Sequence, residues 1–299
     1  MRSDIDAILA EQEVEALFMY SESFKNENMY YLTKLLAPDP FLYLKKVDGD
    51  ALVVARNIEG PRGLEESIVK DIRSYDDYNY LKIAGSTSDP NLGLLKFIVS
   101  VVKKELGVDA KIYVPPNFPV ALADVLRRED FNLIPLFNVI EKARETKDAE
   151  EITEISKAQT AIEKVAGEVF DLIANADVAV DGTLMVKDGG KLVPLSVRRL
   201  KSAFGCKFQD LGYLMEADMI LTCGKRSGDI HSFGEPDDTL KVNEPVIFDI
   251  FPRNLRDRYW ADMTRTIVKG RASKEIKHMY ETMLESQGAG IDALKAGVT

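Results

Sequence analysis

The stretch from Val246 to Val268 leaves this chain few ways to fold. Val246–Phe251 is a short apolar run with β-branched and aromatic residues. Pro252 to Asp257 is polar and punctuated by Pro, Asn and Asp. Arg258–Val268 alternates and is again rich in Tyr, Trp, Thr, Ile and Val. Two such runs around a polar turn predict an antiparallel hairpin. Each strand carries one carboxylate inside its apolar run, Asp249 and Asp262. A hairpin folded symmetrically about Leu255-Arg256 sets the two directly opposite each other, with Cβ atoms ~5 Å apart on one face.

Like charges so placed repel, and a half-buried strand is a poor place for either. Two arrangements relieve the conflict. A hard divalent cation between the carboxylates would use their closely spaced oxygens. Alternatively, each aspartate pairs with an arginine, and Arg253, Arg256, Arg258 and Arg265 are all near in sequence. The hairpin alone does not choose between them.

The rest of the composition excludes several classes. The 299 residues suggest about two domains. A formal net charge of −10 argues against a nucleic-acid groove and against anionic membrane surfaces. No apolar run approaches the ~18 residues of a membrane-spanning helix, and the N-terminal residues lack the apolar core of a signal peptide. Cys206 and Cys223 stand at no metal-like spacing and are expected to be buried and reduced, as in a cytoplasmic protein.

Residues 1 to about 140 alternate between strand-like and helix-like segments. Ala16–Tyr20, Ile112–Val114 and Phe131–Leu136 are expected strands, and Phe41–Lys45 with Ala51–Ala55 flank a hairpin signal at Asp48-Gly49-Asp50. Leu92–Leu106, ending at Gly107, and Val120–Arg128 are expected helices. Asn28–Leu35 fits either period. The pattern predicts an α/β domain with a mixed sheet. A charged stretch, Lys142–Lys147, marks the boundary. Asp148 then caps a long helix, with Glu151 completing a capping box and an apolar stripe from Ile152 to Ile173. Further helices are expected over Leu195–Phe204, ending at Gly205, and over Ser273–Leu294. Met219–Cys223 is a short buried strand, followed by a glycine-rich loop that carries His231.

Several segments together resemble the pita-bread metallopeptidases, the Xaa-Pro dipeptidases (prolidases) and Xaa-Pro aminopeptidases, with creatinase as a relative without metal. They are Asp249-Ile-Phe-Pro-Arg, Tyr259-Trp-Ala-Asp262-Met-Thr-Arg-Thr266, Gly224-Lys-Arg-Ser-Gly-Asp-Ile-His231, the junction from Arg144 to Ile152, and Asn28-Met-Tyr-Tyr-Leu-Thr33. The resemblance implies a creatinase-type α/β domain over residues 1–143. It implies an α+β pita-bread domain over 144–299, incomplete at its C-terminal end. It makes Asp249 a ligand of one metal, Asp262 the bridge between two, and His231 a residue beside the scissile bond. The implied reaction is hydrolysis of the bond before proline in Xaa-Pro peptides, using two divalent ions (Mn, Co or Zn), in a cytoplasmic homodimer with no nucleic-acid or membrane partner.

Two departures bear on this. The Asp249–Asp262 separation is two residues longer than the commoner family spacing, which keeps the parity of the two side chains. The family's other ligands, a histidine and two glutamates, follow the second aspartate. The one later histidine here, His278, sits on an expected surface helix. Those ligands are therefore expected beyond Thr299, and residues 1–299 alone are expected to be inactive, to hold metal weakly or not at all, and to expose an apolar patch. The rival expectation is an inactive pita-bread domain that binds peptides or proteins.

Overall fold

The computed structural model describes residues 3–298. The chain divides into two compact units, one up to Lys147 and one from Asp148 onward, and each is described by itself.

The first unit runs α1 (Ser3–Glu11), β1 (Ala16–Ser21), α2 (Glu27–Thr33), β2 (Phe41–Lys46), β3 (Ala51–Ala55), α3 (Gly60–Glu66), β4 (Asp71–Ser74), α4 (Tyr80–Ala84), α5 (Pro90–Glu105), β5 (Lys111–Val114), α6 (Val120–Arg128), β6 (Asn132–Pro135) and α7 (Val139–Glu145). Its mixed sheet has the order β4-β3-β2-β1-β5-β6. The pairs β1–β2 and β2–β3 are antiparallel, and β3–β4, β1–β5 and β5–β6 are parallel. Both faces are covered, so the central strands are buried on both sides and mainly apolar rather than alternating, with Lys45 of β2 buried in an ion pair with Asp6. Ala16 and Phe18 of β1 pack with Phe97 of α5 and Leu122 of α6. Leu17 and Met19 face the other way, with Leu9 of α1, Met29 of α2 and Ile140 of α7.

The ambiguous segment at Asn28–Leu35 is helical because Asn26 caps it, its side chain accepting from the Met29 N–H at 3.0 Å. The charged stretch at Lys142–Lys147 is not a bare linker. Its residues up to Glu145 belong to α7, which buries Val139, Ile140 and Ala143.

The second unit opens with α8 (Ala149–Ala174), where the Asp148–Glu151 capping box forms as expected. Its buried stripe starts later than expected, at Ala158; Ile152 is exposed. There follow β7 (Asp177–Val178), β8 (Leu184–Asp188), β9 (Lys191–Pro194), α9 (Val197–Asp210), β10 (Tyr213–Leu214), β11 (Ile220–Cys223), β12 (Pro245–Ile250), β13 (Arg253–Asn254), β14 (Met263–Val268) and α10 (Lys274–Ala293). The helix expected to end at Gly205 runs on to Asp210 because Phe204 and Phe208 continue its buried face. Cys206 is exposed, contrary to expectation, since it lies off that stripe. Cys223 is buried, and neither is in a disulfide.

The order β11-β12-β14 makes β12 the central strand of a three-stranded antiparallel sheet. Val246, Phe248 and Ile250 point into the core formed with α8 and α9. The Phe248 ring lies 5.1 Å from Phe170 and 5.5 Å from Phe204, centroid to centroid. By alternation, Asp249 lies on the opposite face. The apolar side of α10 is exposed in this unit: Met283 is 66 % and Ile291 61 % exposed.

Phe248 thus joins three elements beneath the strand that carries Asp249. Phe248→Ala should lower unfolding free energy by about 3–5 kcal/mol. Urea denaturation followed by far-ultraviolet circular dichroism checks this, and a loss under 1 kcal/mol would contradict the packing.

Candidate metal centre

The hairpin forms, but not in the register that symmetry about Leu255-Arg256 predicts. Asp249 stands opposite Thr264, and Ile250 opposite Met263. The same register continues towards the tip, where Ala261 N–H donates to Pro252 O at 3.1 Å and Asn254 N–H to Tyr259 O at 2.9 Å. Asp262 is therefore diagonal to Asp249, two places along from Thr264. Because the slip is two residues, both carboxylates keep the same face.

The polar tip decides this register. The Asn254 side-chain oxygen accepts from the backbone N–H groups of Arg256 at 2.8 Å and Asp257 at 3.2 Å, an Asx-type turn. Asp257 Oδ1 then accepts from Tyr259 N–H at 3.0 Å, with Arg258 between them in the left-handed region at φ 67°. The turn centres on Arg256-Asp257, one residue beyond the symmetric guess. Two contacts dock the tip on the start of α8. Tyr259 Oη donates to Glu151 Oε1 at 2.7 Å, and the carboxyls of Asp257 and Glu154 hydrogen-bond to each other. Burial, and then the Glu154 charge and the hydrogen bond with it, push the Asp257 carboxyl above its ordinary range.

Asp249 and Asp262 are brought within hydrogen-bonding reach of each other. Burial raises the Asp262 carboxyl above its ordinary value, and the charge of Asp249 and the hydrogen bond to it raise it further. Thr264 Oγ1 donates to Asp249 Oδ1 at 2.8 Å. The motif contains Thr264, but its part in the site was not legible until the register placed it. Two of the four nearby arginines are engaged elsewhere: Arg253 pairs with Glu216, and Arg265 donates to the Thr264 carbonyl at 2.8 Å.

His231 is exposed, in a loop held at several points. Arg226 donates to Asp238 at 2.7 Å, the Ser227 hydroxyl to the Gly224 carbonyl at 2.6 Å, and His231 N–H to Asp229 Oδ1 at 3.3 Å. Gly234, at φ +76°, closes the loop against β11; a Cβ there would overlap the Leu221 carbonyl. His278 lies on the exposed surface of α10.

Two repelling carboxylates with a hydroxyl beside them are a donor set of the type a hard divalent cation selects. They are also few. Among the described residues no group of three or more His, Cys, Asp or Glu side chains gathers here or elsewhere. The pair accordingly fits part of a metal centre.

Comparison with known proteins gives the family and the fold. The model of metallopeptidase family M24 matches residues 154–299, and that of the creatinase/prolidase N-terminal domain matches residues 2–146. Residues 154–299 belong to metallopeptidase family M24. An uncharacterised peptidase of Staphylococcus aureus (strain USA300) is 38 % identical over 85 residues, which are 28 % of this chain and 23 % of that protein. The Xaa-Pro dipeptidase from Bacillus anthracis superposes with a TM-score of 0.73 at 16 % identity, over 99 % of this chain and 72 % of that one. The prolidase from Pyrococcus horikoshii OT3 gives 0.69 at 19 %, with the same coverages. The X-Pro aminopeptidase from Thermotoga maritima MSB8 gives 0.70 at 17 %, over 96 % and 72 %. At these identities the likeness is one of fold: a creatinase-type domain followed by a pita-bread domain.

The electrostatic coupling is measurable without metal. Asp249→Asn removes the charge that raises Asp262, so the Asp262 carboxyl should titrate at lower pH in that variant. Carbon-13 NMR of the side-chain carboxyls checks the direction, and an unchanged titration would show that the two do not interact.

Proposed function

We propose that the protein hydrolyses Xaa-Pro peptide bonds with divalent metal, as a prolidase or Xaa-Pro aminopeptidase, with Asp249 and Asp262 among the metal ligands and His231 beside the substrate. The observation that carries this reading is the carboxylate pair on one face of the β12–β14 hairpin, in a segment that belongs to the M24 family.

The metal would polarise the scissile carbonyl and lower the pKa of the attacking water. The chain's own residues do the rest. Asp249 and Asp262 would hold the ions, and the Thr264 hydroxyl, by donating to one oxygen of Asp249, leaves the other free to bind. Core packing of Phe248 and docking of the tip through Tyr259 hold both aspartates on rigid backbone. His231, on its anchored loop, hydrogen-bonds the substrate beside the scissile bond. One observation favours a second reading: only two such donors gather among the described residues. A domain that binds peptides without cleaving them would need no more.

Turnover of Xaa-Pro dipeptides in Mn²⁺ or Co²⁺ separates the two. In the natural full-length protein, Asp249→Ala or Asp262→Ala should abolish turnover and metal loading together. His231→Ala should cut turnover by ~10²-fold or more, the scale of a positioned polar catalytic group, with metal content unchanged. Equal loss of metal would make His231 a ligand, and a full-length protein that binds peptide without cleaving it would establish the binding module.

Residues 1–299 alone supply two of the required side chains and should show no turnover even with excess Mn²⁺ or Co²⁺. Metal-dependent turnover by residues 1–299 would refute the ligand assignment.

A further inference from the structure

The sheet of the first unit changes its direction of growth beside β1. From β1 the chain builds outwards through β2 and β3 to β4, then returns to lay β5 on the other flank, with β6 beyond it. The helices that follow the two parallel neighbours cover opposite faces: α2, after β1, packs on one side and α6, after β5, on the other. Such a switch point opens a crevice at the carboxyl ends of the strands, where open α/β sheets bind ligands. A cleft of about 420 Å³ lies there, within the size range of small-molecule sites. Ser21 at the end of β1, Asn117 after β5, Lys25 and Asn28, and Glu141 and Arg144 of α7 contribute to its wall.

The wall also carries the carboxylates of Glu22 and Glu27, and one pair of its opposite charges is held apart by an amide. Glu141 and Arg144 are three residues apart on one helix, a spacing at which opposite charges ordinarily pair. Here Asn28 reaches across from α2 and stands between them. Its Nδ2 donates to Glu141 Oε1 at 2.6 Å, and its Oδ1 accepts from Arg144 Nη1 at 2.7 Å. The carboxylate and the guanidinium are held one amide group apart, and each has further hydrogen-bonding capacity. A free α-amino acid has no amide between its charged ends. A dipeptide has one.

We propose that this cleft is a second ligand site that takes a dipeptide as its zwitterion, with the carboxylate on Arg144, the ammonium on Glu141 and the peptide bond beside the Asn28 amide. The site stands apart from the assignment of Asp249, Asp262 and His231.

The test is titration calorimetry of the full chain with diglycine, in chelator so that no metal-held peptide contributes. One saturable site is expected. Glu141→Gln and Arg144→Gln should each weaken it by about tenfold or more, the scale of one charge-assisted hydrogen bond. N-acetyl-diglycine, diglycine amide and free glycine should be weaker by a similar factor. Glu141 is exposed and outside the core, so Glu141→Gln gives a folded variant even if Arg144→Gln does not. Absence of saturable binding, undiminished affinity in Glu141→Gln, or equal binding of glycine would each overturn the proposal. Binding that survives Glu141→Gln but is lost in Asp262→Ala would place the peptide at the hairpin, removing the cleft site and leaving the proposed reaction standing.

Discussion

The turn that Asn254 and Asp257 build carries the rest of the candidate site. Its side-chain hydrogen bonds to backbone amides set where the hairpin reverses, and the reversal sets the register of β14 on β12. A slip of one residue would turn Asp262 to the opposite face of the sheet and separate it from Asp249. The observed register instead puts Thr264 across from Asp249 and Asp262 on the diagonal, which leaves room for a hydroxyl to satisfy one carboxylate oxygen while the second carboxylate approaches.

Such an approach costs free energy, and the surrounding structure holds it in place. Beneath the hairpin, Phe248 packs between rings from α8 and α9. At its tip, Tyr259 reaches Glu151, which is buried and already committed to the capping box of α8. One glutamate thus serves both the start of the long helix and the docking of the hairpin. The raised carboxyls of Asp257 and Asp262 share this origin: acidic groups are brought together by packing that acts elsewhere.

The first unit solves a different problem. Its sheet is covered on both faces, so its central strands carry little polar information, and polar chemistry is left to the strand ends and the helix surfaces. Asn28 illustrates this. Within the helix period it is an unremarkable polar residue, yet it bridges two charged side chains more than a hundred residues away in sequence.

The sequence by itself carried the local signals. The period-two runs announced the strands, Asp148 with Glu151 announced the long helix, and the Asp…Asp-Met-Thr-Arg-Thr pattern announced the family and the two aspartates. It misjudged what depends on neighbours far along the chain. Gly205 looked like a helix end until Phe204 and Phe208 were seen to share one buried face, and Ile152 looked like core although it is exposed. The Asp249–Thr264 pairing, the docking of the tip on α8 and the Asn28 bridge were decided only by tertiary structure. Apolar alternation says which face a residue takes, but not which residue stands opposite. That is settled by turn hydrogen bonds and by contacts between segments distant in sequence, which no local period records.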